Sequence, residues 1–125
     1  MKKTPVSTES APSAIGPYSQ AIRAGDTIYL SGQIGLDPRN MQMADGIDAQ
    51  IRQVFENLKA VAAAAGASLD DAVRVTVYLV DLGNFSKVND AMAACFNEPY
   101  PARAAVGVAA LPRGALVEVD AVLVA

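Results

Sequence analysis

Two segments of the chain repeat apolar residues at the three- and four-residue spacing of an amphipathic helix. The first spans residues 46–65, where Asp45 can cap the start and Gly66 is well placed to end the helix. The second spans residues 84–96, and two prolines shortly after it prevent the helix from continuing. The polar residues fall on the other side of each helix, which predicts two surface helices packed against a core.

Five other segments have the alternating or β-branched residues that are typical of strands. Gly25 and Asp26 separate the first two of them and predict a hairpin turn. Residues 32–40 contain glycines and a proline, and predict a loop or a broken strand. The five predicted strands are residues 18–24, 27–31, 72–80, 103–109 and 115–124.

The order of these elements, ββαβαββ, predicts an α+β fold with a mixed sheet. Two amphipathic helices can cover one face of that sheet, so something outside the chain must cover the other face. The 125 residues predict one domain, which at this length needs no disulfide or metal to be stable. Residues 1–14 are polar and contain proline, and predict an extended N-terminal arm.

The residue types that are missing narrow the chemistry available to the chain. It has no histidine, which excludes histidine-based catalytic triads and most zinc and iron sites. Its single cysteine, Cys95, cannot form an internal disulfide, and fits either a reducing compartment or a small apolar core residue. Acid–base chemistry would depend on carboxylates, tyrosines, lysines or bound water, and no metal is expected.

The charge pattern argues against nucleic acid as a partner. The net charge is −3 and the ten basic residues are scattered, whereas a surface that follows phosphates needs clustered lysines and arginines. No apolar run approaches the length of a membrane span. The first 14 residues have two lysines but no apolar stretch after them, so no secretory signal is expected. We therefore expect a cytoplasmic protein that binds neither nucleic acid nor membranes.

One arginine stands alone among small and apolar residues. Arg103 is the only charged residue in the segment YPARAAVGVAALP. Strand alternation places Ala105 and Gly107 on its face, and Ala104 and Val106 on a face that is expected to belong to the core. The small neighbours leave room beside the guanidinium group, which binds carboxylates through two parallel hydrogen bonds.

Two further polar residues occupy apolar surroundings. Glu118 shares its strand face with aliphatic residues, and Asn89 lies in line with the apolar stripe of the second helix. One interpretation is a buried ion pair between Arg103 and Glu118 without chemical function, with Asn89 capping a loop. Because desolvation largely cancels the attraction within a buried ion pair, the alternative interpretation is a binding site for a small carboxylate.

The segment around Arg103 resembles the signature of the RidA (YjgF-type) family of enamine/imine deaminases. The blocks GPYSQA, SGQIGLDP, NLKAVAAAAGASLDD and DLGNFSKVN extend the resemblance from about Pro5 to the C-terminus. It implies a chorismate-mutase-like fold and a homotrimer, with three sites in the clefts between subunits. It also implies hydrolysis of reactive 2-imino acids of the 2-aminoacrylate type to 2-keto acids and ammonia, without a cofactor.

The resemblance implies two catalytic residues by position. Arg103 would hold the substrate carboxylate. Glu118 would position and activate the attacking water, and return a proton to the leaving nitrogen. Aliphatic neighbours would raise the pKa of Glu118 and a nearby Arg103 would lower it, and we expect the effect of the arginine to prevail in the free protein.

The resemblance also implies residues that line or support the site. Tyr18 would form a wall, and Gly32, after Ser31, would bring the backbone close to the ligand. Asn89 would support the site from the second helix. An ordinary interface aromatic at Tyr18 and a strand-end hydroxyl at Ser31 are the alternatives. Tyr100 is interpreted as a packing aromatic before a proline.

Two positions depart from the family pattern. Many members have a cysteine where this chain has Ala105, and a glutamate where it has Gly107. If backbone atoms contact the substrate at Ala105, alanine is tolerated there and the position still belongs to the substrate-binding set. A property that depends on a thiol at this position is then not expected.

Three functions stay open from the sequence. The first is an imine deaminase, and the second is a non-catalytic binder or sensor of small carboxylates. The third is an RNA-cleaving translation inhibitor, an activity that is also attached to the family's name. Glu118 favours the enzyme, because a pure binder has less need of a second charge. The pI of about 4.7 and the absence of histidine disfavour RNA cleavage.

Overall fold

A six-stranded sheet with helices on one face forms the centre of the computed structural model, which describes residues 2–125. A separate two-stranded hairpin follows the third strand of the chain. Within these residues the strands are β1 (Lys3–Val6), β2 (Ala21–Ala24), β3 (Thr27–Ile34), β4 (Leu36–Asp37), β5 (Gln42–Met43), β6 (Ala72–Leu79), β7 (Ala102–Gly107) and β8 (Val117–Val124), and the α-helices are α1 (Ile47–Ala64) and α2 (Phe85–Cys95).

The strands of the main sheet follow the order β1-β2-β3-β8-β6-β7. β6 and β7 run parallel because α2 forms the crossover between them, and the other neighbours are antiparallel. The mixed sheet and the two helices confirm the predicted α+β fold and the order of its main elements. This strand order makes β8 a central strand and β7 an edge strand.

The two faces of the sheet have different surroundings. On the face beneath the helices, alternate residues of β6 and β8 are fully buried: Val75, Val77, Leu79, Val117, Val119 and Leu123. The opposite face leaves apolar side chains in contact with solvent, such as Tyr29 and Val124, which are 53% and 46% exposed. The helices of this chain thus cover one face only, as the amphipathic pattern predicts.

The C-terminal end of α1 agrees with the prediction, and its N-terminal end does not. Gly66 has φ +78, and the backbone N–H groups of residues 66 and 67 donate to carbonyls of the last turn, so glycine ends the helix as predicted. At the start, Gly46 occupies the N-cap position and no side chain caps the helix. The predicted cap at Asp45 is therefore wrong.

The N-terminal part of the chain is more regular than predicted. β1 lies within the expected arm and pairs with β2, so the arm adds a strand to the sheet. β2 begins at Ala21 and not at residue 18, because the backbone turns at Gly16, where the Tyr18 N–H donates to the Gly16 carbonyl. β3 continues to Ile34 with an irregularity between Leu30 and Gln33, so of the two predicted alternatives, a loop or a broken strand, the start of this segment forms the broken strand.

The C-terminal strands also differ slightly from their predicted ranges. β7 ends at Gly107 and β8 begins at Val117, because residues 112–114 form a short 3-10 turn between them.

Cys95 is partly buried and packs against the core, in keeping with its interpretation as a small apolar core residue. Within residues 2–125, no helix is long and apolar enough to cross a membrane, and no three His, Cys, Asp or Glu side chains are grouped to hold a metal ion.

Candidate functional site

Glu118 projects from β8 on the face of the sheet that the helices leave uncovered. Its neighbours in the strand, Val117 and Val119, are fully buried in the core, so strand alternation directs Glu118 to the opposite side. The carboxylate borders a cavity of about 430 Å³, called the Glu118 cavity here. Its walls come from the N-terminal arm and the segment after it, the end of β3, the β4–β5 hairpin and the turn before β8, and include Pro12, Ile15, Tyr18, Ser31, Gly32 and Leu36.

A bulge in β3 places Gly32 against the carboxylate of Glu118. The register between β3 and β8 shifts between Leu30 and Gln33, so the pairing is interrupted at residues 31 and 32. A Cβ atom at position 32 would lie 2.1 Å from Glu118 Oε2, and a side chain there would displace the carboxylate. Glycine at this position therefore makes room for Glu118. The predicted approach of its backbone to a ligand stays a prediction.

The surroundings of Glu118 raise its pKa above the ordinary value of 4.5, first through burial and second through the negative charge of Asp120. Asp120 lies on the same face of β8 and accepts a hydrogen bond of 3.0 Å from the Tyr78 hydroxyl. Within one chain Arg103 does not contribute to the pKa of Glu118, so the expected lowering is wrong for the single chain. A carboxyl group with a raised pKa accepts and returns protons closer to neutral pH.

Tyr18 and Ser31 line the Glu118 cavity in different ways. The side chain of Tyr18 is 51% exposed, which leaves the ring accessible to a molecule that enters the cavity. The Ser31 hydroxyl donates a 2.6 Å hydrogen bond to the Ser19 carbonyl and ties the segment before β2 to β3. Its oxygen keeps a lone pair that a ligand can use. Both residues thus lie where a ligand beside Glu118 would contact them.

Arg103 projects from β7 toward α2. Its guanidinium lies over the ring of Phe85, 4.7 Å from the centroid, and Nη1 donates to Asn89 Oδ1 and, at 3.8 Å, to Met92 Sδ. Asn89, which is in line with the apolar stripe as predicted, therefore orients the arginine. Within residues 2–125 the Nε and Nη2 groups of Arg103 have no hydrogen-bond partner. These two groups form the fork that binds a carboxylate side-on.

A second cavity, of about 420 Å³, lies beside Arg103. Tyr100 lines it and is 54% exposed, so its interpretation as a packing aromatic is wrong for the single chain. The sequence contained an indication that Tyr100 is exposed, because an aromatic residue between Pro99 and Pro101 cannot lie inside a regular helix or a central strand. The other side chains at this Arg103 cavity are Asn89, Met92, Ala93 and Pro101.

Arg113 also lines the Glu118 cavity, although it is not among the site residues predicted from the sequence. The residue has φ 57 in the turn before β8, and its Nη2 group donates to the Met41 carbonyl at 3.2 Å. Only the neighbouring Gly114 and Pro112 indicated a turn, and nothing in the local pattern indicated which cavity the turn would reach. Arg113 brings a positive charge to the wall of a cavity that already contains a carboxylate.

The side chains of β7 point to the opposite faces of the sheet from those predicted. Arg103 and Ala105 pair in register with buried residues of β6 and face the helix side, whereas Ala104 and Val106 face the uncovered side. The assignment of Ala104 and Val106 to the core is therefore wrong, and Val106 is 42% exposed. Alternation shows which residues share a face, but not which of the two faces is buried.

Arg103 and Glu118 consequently lie on opposite faces of the sheet, with β6 between their strands. They border separate cavities, and no ion pair joins them within one chain. The interpretation of a buried Arg103–Glu118 ion pair is wrong for the single chain. A ligand in either cavity would meet only one of these two charged groups from the same chain.

The two departures from the family pattern both lie on β7. A Cβ atom at Gly107 would come within 3.1 Å of the Leu82 side chain, so a larger residue would press against Leu82. Ala105 is exposed and shares the face of Arg103, two residues along the strand. A backbone contact from Ala105 to a substrate stays a prediction.

Comparisons with known proteins agree with the fold. The family described as Endoribonuclease L-PSP matches residues 8–125. A RutC family protein of Pyrococcus horikoshii is 49% identical over 121 residues, 96% of each chain. A 2-iminobutanoate/2-iminopropanoate deaminase of Dermatophagoides farinae is 46% identical over 120 residues, 95% of this chain and 94% of that protein.

Among solved structures, RidA from the Antarctic bacterium Psychrobacter sp. PAMC 21119 has 50% identity and a TM-score of 0.95, and the match covers 98% of this chain and 99% of that one. Both the sequence and the three-dimensional arrangement therefore agree along nearly the whole chain. The chain belongs to the endoribonuclease L-PSP family, which includes the RidA and YjgF proteins.

Proposed function

We propose that this protein is an imine deaminase that hydrolyses 2-imino acids of the 2-aminoacrylate type to 2-keto acids and ammonia. The observation that carries the proposal is the Glu118 cavity, in which a partly buried carboxylate with a raised pKa faces mainly apolar walls. Relatives that are 46% identical over 95% of this chain carry the name 2-iminobutanoate/2-iminopropanoate deaminase. Residues 1–125 would act as one RidA-like domain.

The proposed assembly is a homotrimer in which neighbouring chains complete each other's sites. One chain would supply Glu118 together with Tyr18, Ser31 and Gly32, and its neighbour would supply Arg103 and Asn89. Two findings support this arrangement: the two groups of residues border separate cavities, and one face of the sheet lacks a helix layer. Heterologous contacts of this kind close into a ring when the rotation between chains allows it.

In the proposed reaction, the Nε and Nη2 groups of Arg103 bind the carboxylate of the 2-imino acid and direct its C2 carbon toward Glu118. Glu118 accepts a proton from a water molecule as the water oxygen bonds to C2 and the C=N electrons move to nitrogen. The carboxyl group returns this proton to the nitrogen, which gives a carbinolamine. It then moves the hydroxyl proton to the nitrogen as the C–N bond breaks, releasing ammonia and the 2-keto acid.

A non-catalytic binder of small carboxylates is the second candidate. The open fork of Arg103 favours it, because that fork binds a carboxylate whether or not chemistry follows. The departures at Ala105 and Gly107 leave the rate and the substrate preference of an enzyme to be measured. The cytoplasmic location and the absence of a cofactor stay predictions.

A coupled assay tests the proposed function directly. A threonine or serine dehydratase generates the imine, and formation of 2-ketobutyrate or pyruvate is followed with and without the protein. Because such imines also hydrolyse in water, the result to measure is the acceleration at equal imine supply. We expect an acceleration that saturates with imine concentration. A protein that binds 2-ketobutyrate but leaves the rate of hydrolysis unchanged would be the binder.

A further inference from the structure

The buried polar side chains of residues 2–125 share one property: all of them are neutral amides. They are Gln20, Gln33, Gln50 and Asn57, and each is at most 6% exposed. An amide buried without partners destabilises a protein, so amides in a core are kept where they bridge backbone groups that would otherwise lack a partner. Gln33 itself lines the Glu118 cavity, and the other three contact the backbone of its walls or of the segments next to them.

Gln20 ties the N-terminal arm to the sheet. Its Oε1 accepts a 2.7 Å hydrogen bond from the Thr8 N–H, and its Nε2 donates to the carbonyls of Thr8, Ala11 and Pro12 at 3.1, 3.3 and 2.7 Å. The Gln20 carbonyl in turn accepts from the backbone N–H of Ser31 on β3. Pro12 is itself part of the cavity wall. Gln20 thus connects β3 to the arm segment that closes one side of the cavity.

Asn57 ties the end of β3 to α1. From α1, its Nδ2 donates to the carbonyls of Ile34 and Leu36 at 3.3 and 2.9 Å, and both of these residues line the Glu118 cavity. Its Oδ1 accepts a hydrogen bond of 2.9 Å from Gln53, which orients the amide. Asn57 therefore holds the backbone where β3 turns into β4.

Gln50 holds the segment that leads into β8. Its Oε1 accepts a 2.9 Å hydrogen bond from the Leu116 N–H, two residues before Glu118 and shortly after the turn that carries Arg113. The helix can approach this closely because position 35 has no side chain: a Cβ atom at Gly35 would lie 2.9 Å from Gln50 Cα. The third side of the cavity is thus also anchored by a buried amide.

We propose that Gln20, Gln50 and Asn57 are positioning residues that hold three separate backbone segments in the wall of the Glu118 cavity. In terms of the proposed function, on which this inference rests, these walls receive the side chain of the 2-imino acid next to the carboxyl group that handles the water. Amides suit this role because each offers a donor and an acceptor, and because they keep the same charge at every pH. The wall keeps its shape while Glu118 changes protonation.

Two near-isosteric variants test the proposal, Gln20→Met and Asn57→Leu, with Gln42→Met as the matched control. The Gln42 side chain is exposed and lies outside the walls of the cavity. Amide hydrogen exchange should accelerate at residues 8–13 in Gln20→Met and at residues 34–37 in Asn57→Leu, each at its own segment only. Binding of 2-ketobutyrate should weaken by about tenfold in both, as expected if the displaced wall costs the ligand the equivalent of roughly one hydrogen bond. The control should match the parent in both measurements.

A KM-against-kcat comparison separates positioning from a general loss of stability. The imine KM should rise in both variants while kcat changes little, because Glu118 and Arg103 are unchanged. Exchange that rises evenly along the chain, or 2-ketobutyrate binding equal to the parent, would overturn the proposal. If Gln20→Met does not fold, Asn57→Leu alone decides. If the parent protein hydrolyses no imine, the proposed function fails, and the segment-specific exchange pattern still decides whether the amides position the walls.

Discussion

Arg103 and Glu118 project from opposite faces of one sheet, two strands apart. The guanidinium faces the helix side and the carboxylate faces the side without helices, so a single chain cannot bring both to one small ligand. Two charged groups that serve one substrate must therefore come from different chains.

The protein should form a homotrimer, and light scattering should give about 39 kDa, three times the chain mass of 13.0 kDa. The physical reason is the burial of the exposed apolar side chains on the uncovered face of the sheet. A stable monomer at micromolar concentration would contradict both the assembly and the shared site.

Subunit mixing tests the shared site itself. Arg103→Ala and Glu118→Gln should each be inactive alone, because every site in either trimer lacks one of the two groups. When the two variants are unfolded and refolded together, about one site in four should combine an intact Glu118 with an intact Arg103 from the neighbour. Recovery of about a quarter of the parent activity supports the arrangement. No recovery, with mixed trimers verified by mass spectrometry, would contradict it.

Replacing Arg103 should abolish ligand binding with little change in thermal stability. Arg103→Ala loses the carboxylate fork, and Arg103→Lys should recover little because an ammonium group cannot reproduce two parallel hydrogen bonds. Stability should change little, because Arg103 has no ion pair with Glu118 within the chain. The side chain is exposed, and at an exposed position its contact with the Phe85 ring contributes about 0.5–1 kcal/mol to the stability. Calorimetry with 2-ketobutyrate and a melting curve measure the two effects. Undiminished binding in Arg103→Ala would rule out the carboxylate role.

Glu118→Gln separates an enzyme from a binder. The amide keeps the size of the side chain but cannot accept the proton of the attacking water. Binding of 2-ketobutyrate should stay close to that of the parent, while imine hydrolysis should fall by at least about a hundredfold, the lower range for removing a general acid–base group. A variant that hydrolyses the imine at the parent rate would show that Glu118 is not catalytic.

Gly32→Ala should inactivate the protein without unfolding it. The added methyl group would lie 2.1 Å from Glu118 Oε2, so the carboxylate must move, and the end of a side chain can move at low cost. A displacement of about 1 Å at a reacting group can reduce the rate by about a hundredfold. Gly107→Ala is the control, since its nearest contact, at 3.1 Å, is the exposed Leu82 side chain. Equal activity of the two variants would show that the activity does not depend on the exact position of the Glu118 carboxylate.

Asp120→Asn should shift the acid limb of the activity–pH profile to lower pH. Glu118 must be ionised to accept a proton, so activity rises as the pH increases through its pKa. Within one chain, burial and the charge of Asp120 raise that pKa above 4.5, and the contribution of Asp120 is the one that this variant removes. Asparagine removes the charge and can still accept the hydrogen bond from Tyr78, so the pKa of Glu118 should fall. The measurement is kcat/KM against pH, with Asp26→Asn in the β2–β3 turn as control. An acid limb that moves upward or stays in place would contradict this influence of Asp120.

Local sequence pattern was sufficient for the two α-helices and for most strands of the main sheet. The apolar periods of α1 and α2, the β-branched run of β6 and the glycine at the end of α1 depend on a residue's immediate neighbours, and the structure has them as predicted. The alternation in β8 likewise separated Glu118 from the core residues Val117 and Val119. The family resemblance, rather than the local pattern, implied that Asn89 supports the site, and Asn89 accepts a hydrogen bond from Arg103.

The tertiary structure decided which residues meet. Alternation in β7 could not show that Arg103 faces the helices, because that depends on β7 pairing in parallel at the edge of the sheet, beyond β6. The place of Arg113 in the Glu118 cavity and the contact of Gln50 with Leu116 are likewise the result of long-range packing, which brings segments far apart in sequence together. Secondary structure follows from interactions within a few residues, whereas a site depends on strand order, which the whole chain determines by burying its apolar surface.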